Sequence, residues 1–259
     1  MDSPPDSTQS LKSARRLFEV IECLEERQPI GVTELSEATG IPTSSVQVYL
    51  NTLRDAEYVV KEDGRYRLSL RFFEHGMNGL RQFEIYQTAR PKVYQIAEET
   101  GELVGAFVEE RGRAIYAMAA GGENAIRTDL KIGSHTGLHC TAGGKAILAY
   151  LPEERVAEVI ETRGLPAHTD GTITDPETLY AELETIRERG VAFNREESIA
   201  GMHAVAAPIR ARGEVIGAIS VSGPSTRFVG DLFETELVAL VKQTANEITL
   251  NLDYDETVY

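Results

Sequence analysis

Three groups of residues in this sequence have types and spacings that invite a chemical reading. The first lies in TSSVQVYLNTLRD, where Thr43, Ser44, Ser45, Gln47, Val48, Asn51 and Arg54 take the leading end and outer faces of one helical period, opposite Val46, Leu50 and Leu53. Short hydroxyls at a helix start bond phosphates, while Gln and Asn carry the paired donors and acceptors that match base edges. In GRYRLS, Arg65 and Arg67 alternate onto one face, so a hairpin there would hold two cations against a duplex. The second group, Gly143-Gly144-Lys145, looks like a phosphate loop but lacks the preceding glycine spacing, and Ala146 stands where Ser or Thr is required. The third is His135, His139 and His203 with Cys140, whose spacing matches no structural zinc pattern. No histidine, acid and nucleophile recur at spacings that suggest hydrolysis. The chemistry predicted is recognition of DNA, with no metal, no cofactor and no catalytic set.

These side chains need elements to hold them. Residues 9–27 place Leu11, Ala14, Leu17, Phe18, Ile21 and Leu24 at helical spacing, and Pro29 and Gly31 end that helix. A short helix capped at Thr33 runs to Gly40, where a left-handed turn needs glycine. Pro42 opens a second helix over 43–56. Helix, glycine turn, helix is the helix-turn-helix order, and Tyr58–Val60, a polar turn at 61–64 and Arg65–Leu68 add a β-hairpin wing. Two helical stretches follow over residues 70–99, around RFFEHGMNGLRQFEIY and TARPKVYQIAEETG; the first is a linker helix with an aromatic stripe of Phe72, Phe73, Phe83 and Tyr86 that reads as core or dimer interface. Beyond residue 102 the period shifts. Strands are expected at Glu102–Val108, Ala114–Ala119, Ile126–Ile132, Ala204–Ile209 and Val215–Val221. Helices are expected after Cys140, near 153–162 and 175–189, and at 231–252. The interleaving lacks βαβ regularity, so the fold class is α+β.

Composition sets outer bounds. A chain of 259 residues suggests two unequal domains, and no apolar run approaches the roughly 20 residues that span a bilayer. The opening MDSPPDSTQS is a polar tail without the pattern of a signal peptide, and two cysteines exclude a disulfide framework; both favour the cytoplasm. The net charge of −15 argues, by itself, against a polyanionic partner. The acid is dispersed over helix faces and lysine is scarce, a halophilic composition suited to concentrated salt, where long-range repulsion is screened. The local motifs therefore outweigh the net charge.

The motifs resemble, in order and spacing over roughly residues 10–250, the IclR family of transcriptional regulators. The matching segments are GIPTSSVQVYLNTL, GRYRLS, ARPKVYQIAEETGE, IGSHTGLHCTAGGKAILAYLP, TITDPETLYAELETIRERGVAFNREE and GAISVSGPSTR. After the disordered tail read from composition at 1–9, the resemblance implies a winged helix-turn-helix at 10–70, a linker helix at 71–88 and a GAF-like effector domain at 89–253, its antiparallel sheet flanked by helices. It implies a homodimer or homotetramer on a palindromic double-stranded operator, answering to a small organic acid or aromatic metabolite and away from membranes. The family's effector pocket maps onto Ala142, Gly143, Ser220 and Ser222, with Asn194 in place of a common acidic residue and Ala204 in place of a common cysteine. Alternate residues of a strand share a face, and amides at a helix start favour a carboxylate, so the assignment is physically coherent. Basic residues common early in the family's reading helix are replaced here by Thr43, Gln47 and Val48, which shifts recognition toward hydrogen bonds. The alternatives are an enzyme built on the GAF-like domain and a constitutive DNA-binding scaffold without a working pocket.

Overall fold

Helix α1 (Lys12–Arg27) buries a narrow stripe, Val20 and Leu24, with Leu17 and Ile21 at its edges. Leu11 and Phe18, expected to face inward, are 74% and 61% exposed. The helices packed beside α1 cover only one ridge of it, which leaves the neighbouring ridge bare. The computed structural model describes residues 11–126 and 131–254; the tail expected at 1–9 and residues 127–130 of the strand expected at Ile126–Ile132 lie outside them. The described ends of that segment are not in a strand.

Helix α2 (Val32–Thr39) starts one residue before the expected cap. The Gly31 amide donates to the Glu34 carboxylate at 2.9 Å, so the third helical residue closes the end instead of Thr33. Gly40 takes φ +66°, the left-handed turn that glycine accommodates without a Cβ clash. Helix α3 (Thr43–Asp55) then buries Val46, Leu50 and Leu53. Strands β1 (Val59–Glu62) and β2 (Arg65–Leu68) pair with Glu62 opposite Arg65. Asp63 and Gly64 both have positive φ, as a two-residue hairpin turn requires. Tyr66 is fully buried beneath the hairpin, among Leu24, Leu35 and Leu50.

The single linker helix expected over 71–88 is broken. Helix α4 (Arg71–Leu80) ends after Gly76, Asn78 and Gly79, all weak helix formers, and α5 (Ile85–Thr100) begins after a four-residue gap with Ile85 buried. The chain divides into two units between Gly79 and Leu80, and the aromatic stripe divides with it. Phe72 packs on Tyr58 at 4.9 Å between ring centroids in the first unit, and Phe83 and Tyr86 pack on the core of the second.

The second unit is a six-stranded antiparallel sheet in the order β5-β4-β3-β8-β7-β6. Its strands are β3 (Leu103–Glu110), β4 (Arg113–Gly121), β5 (His135–Gly137), β6 (Ala192–Arg195), β7 (Met202–Ala211) and β8 (Glu214–Pro224). The short edge strands β5 and β6 are too brief to show alternation and were not expected. Helix α5 and α9 (Leu237–Tyr254), the latter entered through a π-helical turn at Leu232–Glu236, cover one face. Helices α6 (Ala142–Leu148), α7 (Glu153–Arg163) and α8 (Pro176–Arg189) build the second core on the other side. No described helix is long and apolar enough to cross a membrane.

Candidate functional site: nucleic-acid interface and ligand cavity

On α3, Thr43, Ser44, Val48 and Arg54 are exposed, whereas Ser45, Gln47 and Asn51 are half-buried. Gln47 and Asn51 were expected to point outward. Instead, the Gln47 amide donates to Asn51 Oδ1 at 3.1 Å and to the Tyr66 hydroxyl at 3.4 Å, so the pair leans toward the wing. These bonds leave Gln47 Oε1 and Asn51 Nδ2 as an acceptor and a donor held in fixed positions. The Thr43 hydroxyl donates to Ser36 at 3.1 Å and ties the two helices of the motif together.

The three arginines of this surface are already engaged. Arg65 pairs with Glu34 at 2.7 Å and donates to Pro29 O at 3.0 Å; Arg67 pairs with Glu62 at 2.7 Å; Arg54 pairs with Asp55 at 3.1 Å. The Arg67 hydrogen bond holds the Glu62 carboxyl below its usual range, and the Gly31 amide, then Arg65, do the same for Glu34. These pairs are exposed and screened by solvent, so each is weak. Lys61, which sequence reasoning passed over as a turn residue, sits 5.3 Å above the Tyr66 ring with no carboxylate partner among the described residues.

In the second unit, Ala142, Gly143, Asn194, Ala204, Ser220 and Ser222 all line one cavity of about 150 Å³. Strand register explains the convergence. Asn194 lies opposite Ala204, and Ala204 opposite Ser222, forming one row across β6, β7 and β8. Ser220, two residues along β8, shares the face. Both serines are buried, and neither hydroxyl has a hydrogen-bond partner among the described residues. The amides of Ala142 and Gly143 are likewise unbonded there, since the Thr141 hydroxyl caps Gly144 N at 3.1 Å. Gly143 admits no side chain, because a Cβ would stand 2.4 Å from the Phe107 ring.

Asn194 serves a different purpose from the serines. Its amide nitrogen donates to Cys140 O at 2.7 Å and Ser198 Oγ at 3.0 Å, while its oxygen accepts from Glu197 N at 2.9 Å. It therefore fastens the β6–β7 loop to the start of α6. Lys145, 1% exposed, adds a second tie by pairing with both oxygens of Glu197 at 2.5 and 2.6 Å. Burial pushes the Glu197 carboxyl up, against the opposing pull of that ammonium. The lysine of the phosphate-loop lookalike is thus a buried strut. Sequence reasoning also missed Phe107 and Tyr116, whose rings pack in the cavity wall at 4.2 Å between centroids, tilted by 52°. Burial raises the Tyr116 phenol, keeping it a neutral donor. The cavity lining holds no Lys or Arg among the described residues; its polar groups are hydroxyls, amides and the imidazoles of His135 and His168.

The histidines grouped by sequence separate in space. His203 Nδ1 bonds Phe228 O at 2.9 Å, and the cluster that does form joins His139 and Cys140 to His168.

Comparison with known proteins gives a consistent result. Residues 13–63 match the family model "IclR helix-turn-helix domain", and residues 77–250 match "Bacterial transcriptional regulator IclR C-terminal". The chain is 31% identical over 248 residues to a probable HTH-type transcriptional regulator ArcR of Halobacterium salinarum, covering 94% of each. It is similar to the crystal structure of the Thermotoga maritima IclR, with a TM-score of 0.81, 30% identity and coverage of 95% and 100%. An IclR homologue from Microbacterium hydrocarbonoxydans, crystallised with 4-hydroxybenzoate, shares the fold with a TM-score of 0.79 at 22% identity, over 93% of this chain and 99% of that one.

Proposed function

The chain belongs to the IclR family of transcriptional regulators, which control metabolic genes, and from that premise we propose that the cavity beneath Ser220 and Ser222 binds the effector that governs its hold on DNA. The observation that carries this reading is the pair of buried serine hydroxyls without protein partners. Both side chains face the cavity, where a ligand's polar group would bond them, each such bond contributing about 0.5–1.5 kcal/mol. The effector is a small organic acid or aromatic metabolite: its polar end meets Ser220, Ser222 and the Ala142 and Gly143 amides, and its apolar part meets Phe107 and Tyr116. The homologue bound to 4-hydroxybenzoate supports an occupant of this class.

The DNA surface in this reading is α3 with the β1–β2 wing. Ser44, Ser45 and Thr43 approach phosphates, Gln47 and Asn51 read base edges, Val48 makes an apolar base contact, and Arg54, Arg65 and Arg67 flank the backbone. One short helix covers too few base pairs for useful specificity, so the working form is a homodimer or homotetramer on a palindromic operator in the cytoplasm. The protein has no catalytic role, and the relatives named above are regulators. The test is a thermal-shift screen of aliphatic and aromatic carboxylates in molar KCl, followed by operator titration with each hit. A hit that raises the melting temperature and changes operator affinity supports the reading; a panel in which every stabilising ligand leaves operator affinity unchanged refutes it.

A further inference from the structure

A second cluster of reactive side chains lies where β5 runs into α6, outside the DNA surface and the serine row. His139 Nδ1 or Nε2, Cys140 Sγ and one nitrogen of His168 lie within 4.8 Å of one another. His139 and Cys140 are buried, and His168 reaches them from an exposed loop. His139 Nε2 is 3.0 Å from Pro166 O, an acceptor only, so Nε2 carries the proton and Nδ1 presents its lone pair. That Nδ1 faces the thiol. A Cβ built on Gly137 would stand 2.9 Å from His139 Nδ1 and 3.0 Å from Cys140 Sγ, so the glycine keeps open the space between the two atoms. An imidazole whose outer N–H is donated to a backbone carbonyl while the other nitrogen faces a thiol is the arrangement of a metal-ligating histidine.

We propose that His139, Cys140 and His168 bind a zinc-class divalent ion through two imidazole nitrogens and one thiolate. The donor set is borderline-soft and contains no carboxylate, which disfavours Mg²⁺ and Ca²⁺. On binding, the Cys140 thiol releases its proton to solvent and exchanges its 3.5 Å contact with Gly137 O for the metal. Three protein ligands leave a fourth position open. Because His168 also lines the Ser220–Ser222 cavity, an ion on this triad would border that cavity; the metal site itself stands whether or not an effector binds there.

The test uses the full-length protein, stripped with a chelator and titrated with Co²⁺ and then Zn²⁺, read by absorption and by elemental analysis after gel filtration. A single Co²⁺ per chain with a sulfur-to-cobalt charge-transfer band, displaced by Zn²⁺ and indifferent to excess Mg²⁺, is the expected result. Cys140→Ser should abolish the band. His168→Ala removes a side chain carried on an exposed loop and should weaken binding at least roughly tenfold, the smallest loss typical even of outer-sphere changes. His203→Ala should bind as the parent does. Absence of the thiolate band, or undiminished metal affinity in His168→Ala, overturns the proposal.

Discussion

Replacing Ser222 with alanine separates ligand recognition from folding, because the hydroxyl does nothing for the protein itself. It is buried, 8% exposed, and bonds no described group. Removing it breaks no hydrogen bond within the protein, so stability should stay within about 0.5 kcal/mol of the parent. A bound effector loses one hydrogen bond, about 1–3 kcal/mol, hence a Kd raised roughly 5- to 150-fold. Asn194→Ala, in the same row of the same sheet, should behave in the opposite way. It cuts three hydrogen bonds, to Cys140 O, Ser198 Oγ and Glu197 N, and leaves buried backbone groups unpaired. At about 1 kcal/mol for each bond, its cost is about 3 kcal/mol of stability. The assay is chemical denaturation of both variants, with calorimetric titration of the best carboxylate from the screen. Operator affinity without ligand should match the parent for Ser222→Ala. A Ser222→Ala protein destabilised by more than about 1 kcal/mol, or binding ligand as the parent does, would refute the reasoning.

Three further outcomes follow from the same geometry. Gln47→Ala and Asn51→Ala should each lose about 1–3 kcal/mol on the specific operator and little on random DNA; equal losses on both, read by fluorescence anisotropy, would remove them from base reading. The Arg65→Ala/Arg67→Ala double variant should lower the salt slope of binding by roughly one unit for every phosphate that the arginines neutralise, while Glu34→Gln and Glu62→Gln, which free those arginines, should tighten binding; unchanged slopes would place the wing off the DNA. Lys145→Met should leave Glu197 as an unpaired buried carboxyl and cost about 3–5 kcal/mol, recovered in large part by adding Glu197→Gln, with the cycle measured by urea unfolding.

Much of the architecture is legible in local pattern. Helical spacing identifies α1 to α3, Gly40 marks the left-handed turn, and the polar run at 61–64 marks the hairpin, because each depends on residues close in sequence. The long strands β3, β4, β7 and β8 are legible as apolar runs bounded by turn residues, in keeping with a sheet buried on both faces. Two helices were legible between residues 70 and 99, but not the position of the break: the helical pattern read over residues 71–86 runs past it, and the burial of Ile85 in the second unit's core decides where the second helix starts. The short strands β5 and β6 are likewise defined by their neighbours.

For the sites, sequence alone determined the residue types: amides on a reading helix, arginines on a wing, serines alternating on a strand. Tertiary structure decided what those groups are free to do. It turned Gln47 toward Tyr66, paired Arg65 with Glu34, and committed Asn194 to the loop that Glu197 anchors. It left Ser220 and Ser222 unbonded and brought His168 to His139 and Cys140. The physical reason is that a side chain's identity is local, but its partners come from segments far apart in sequence. Cross-strand register and helix docking set those partners, and no spacing along the chain encodes them.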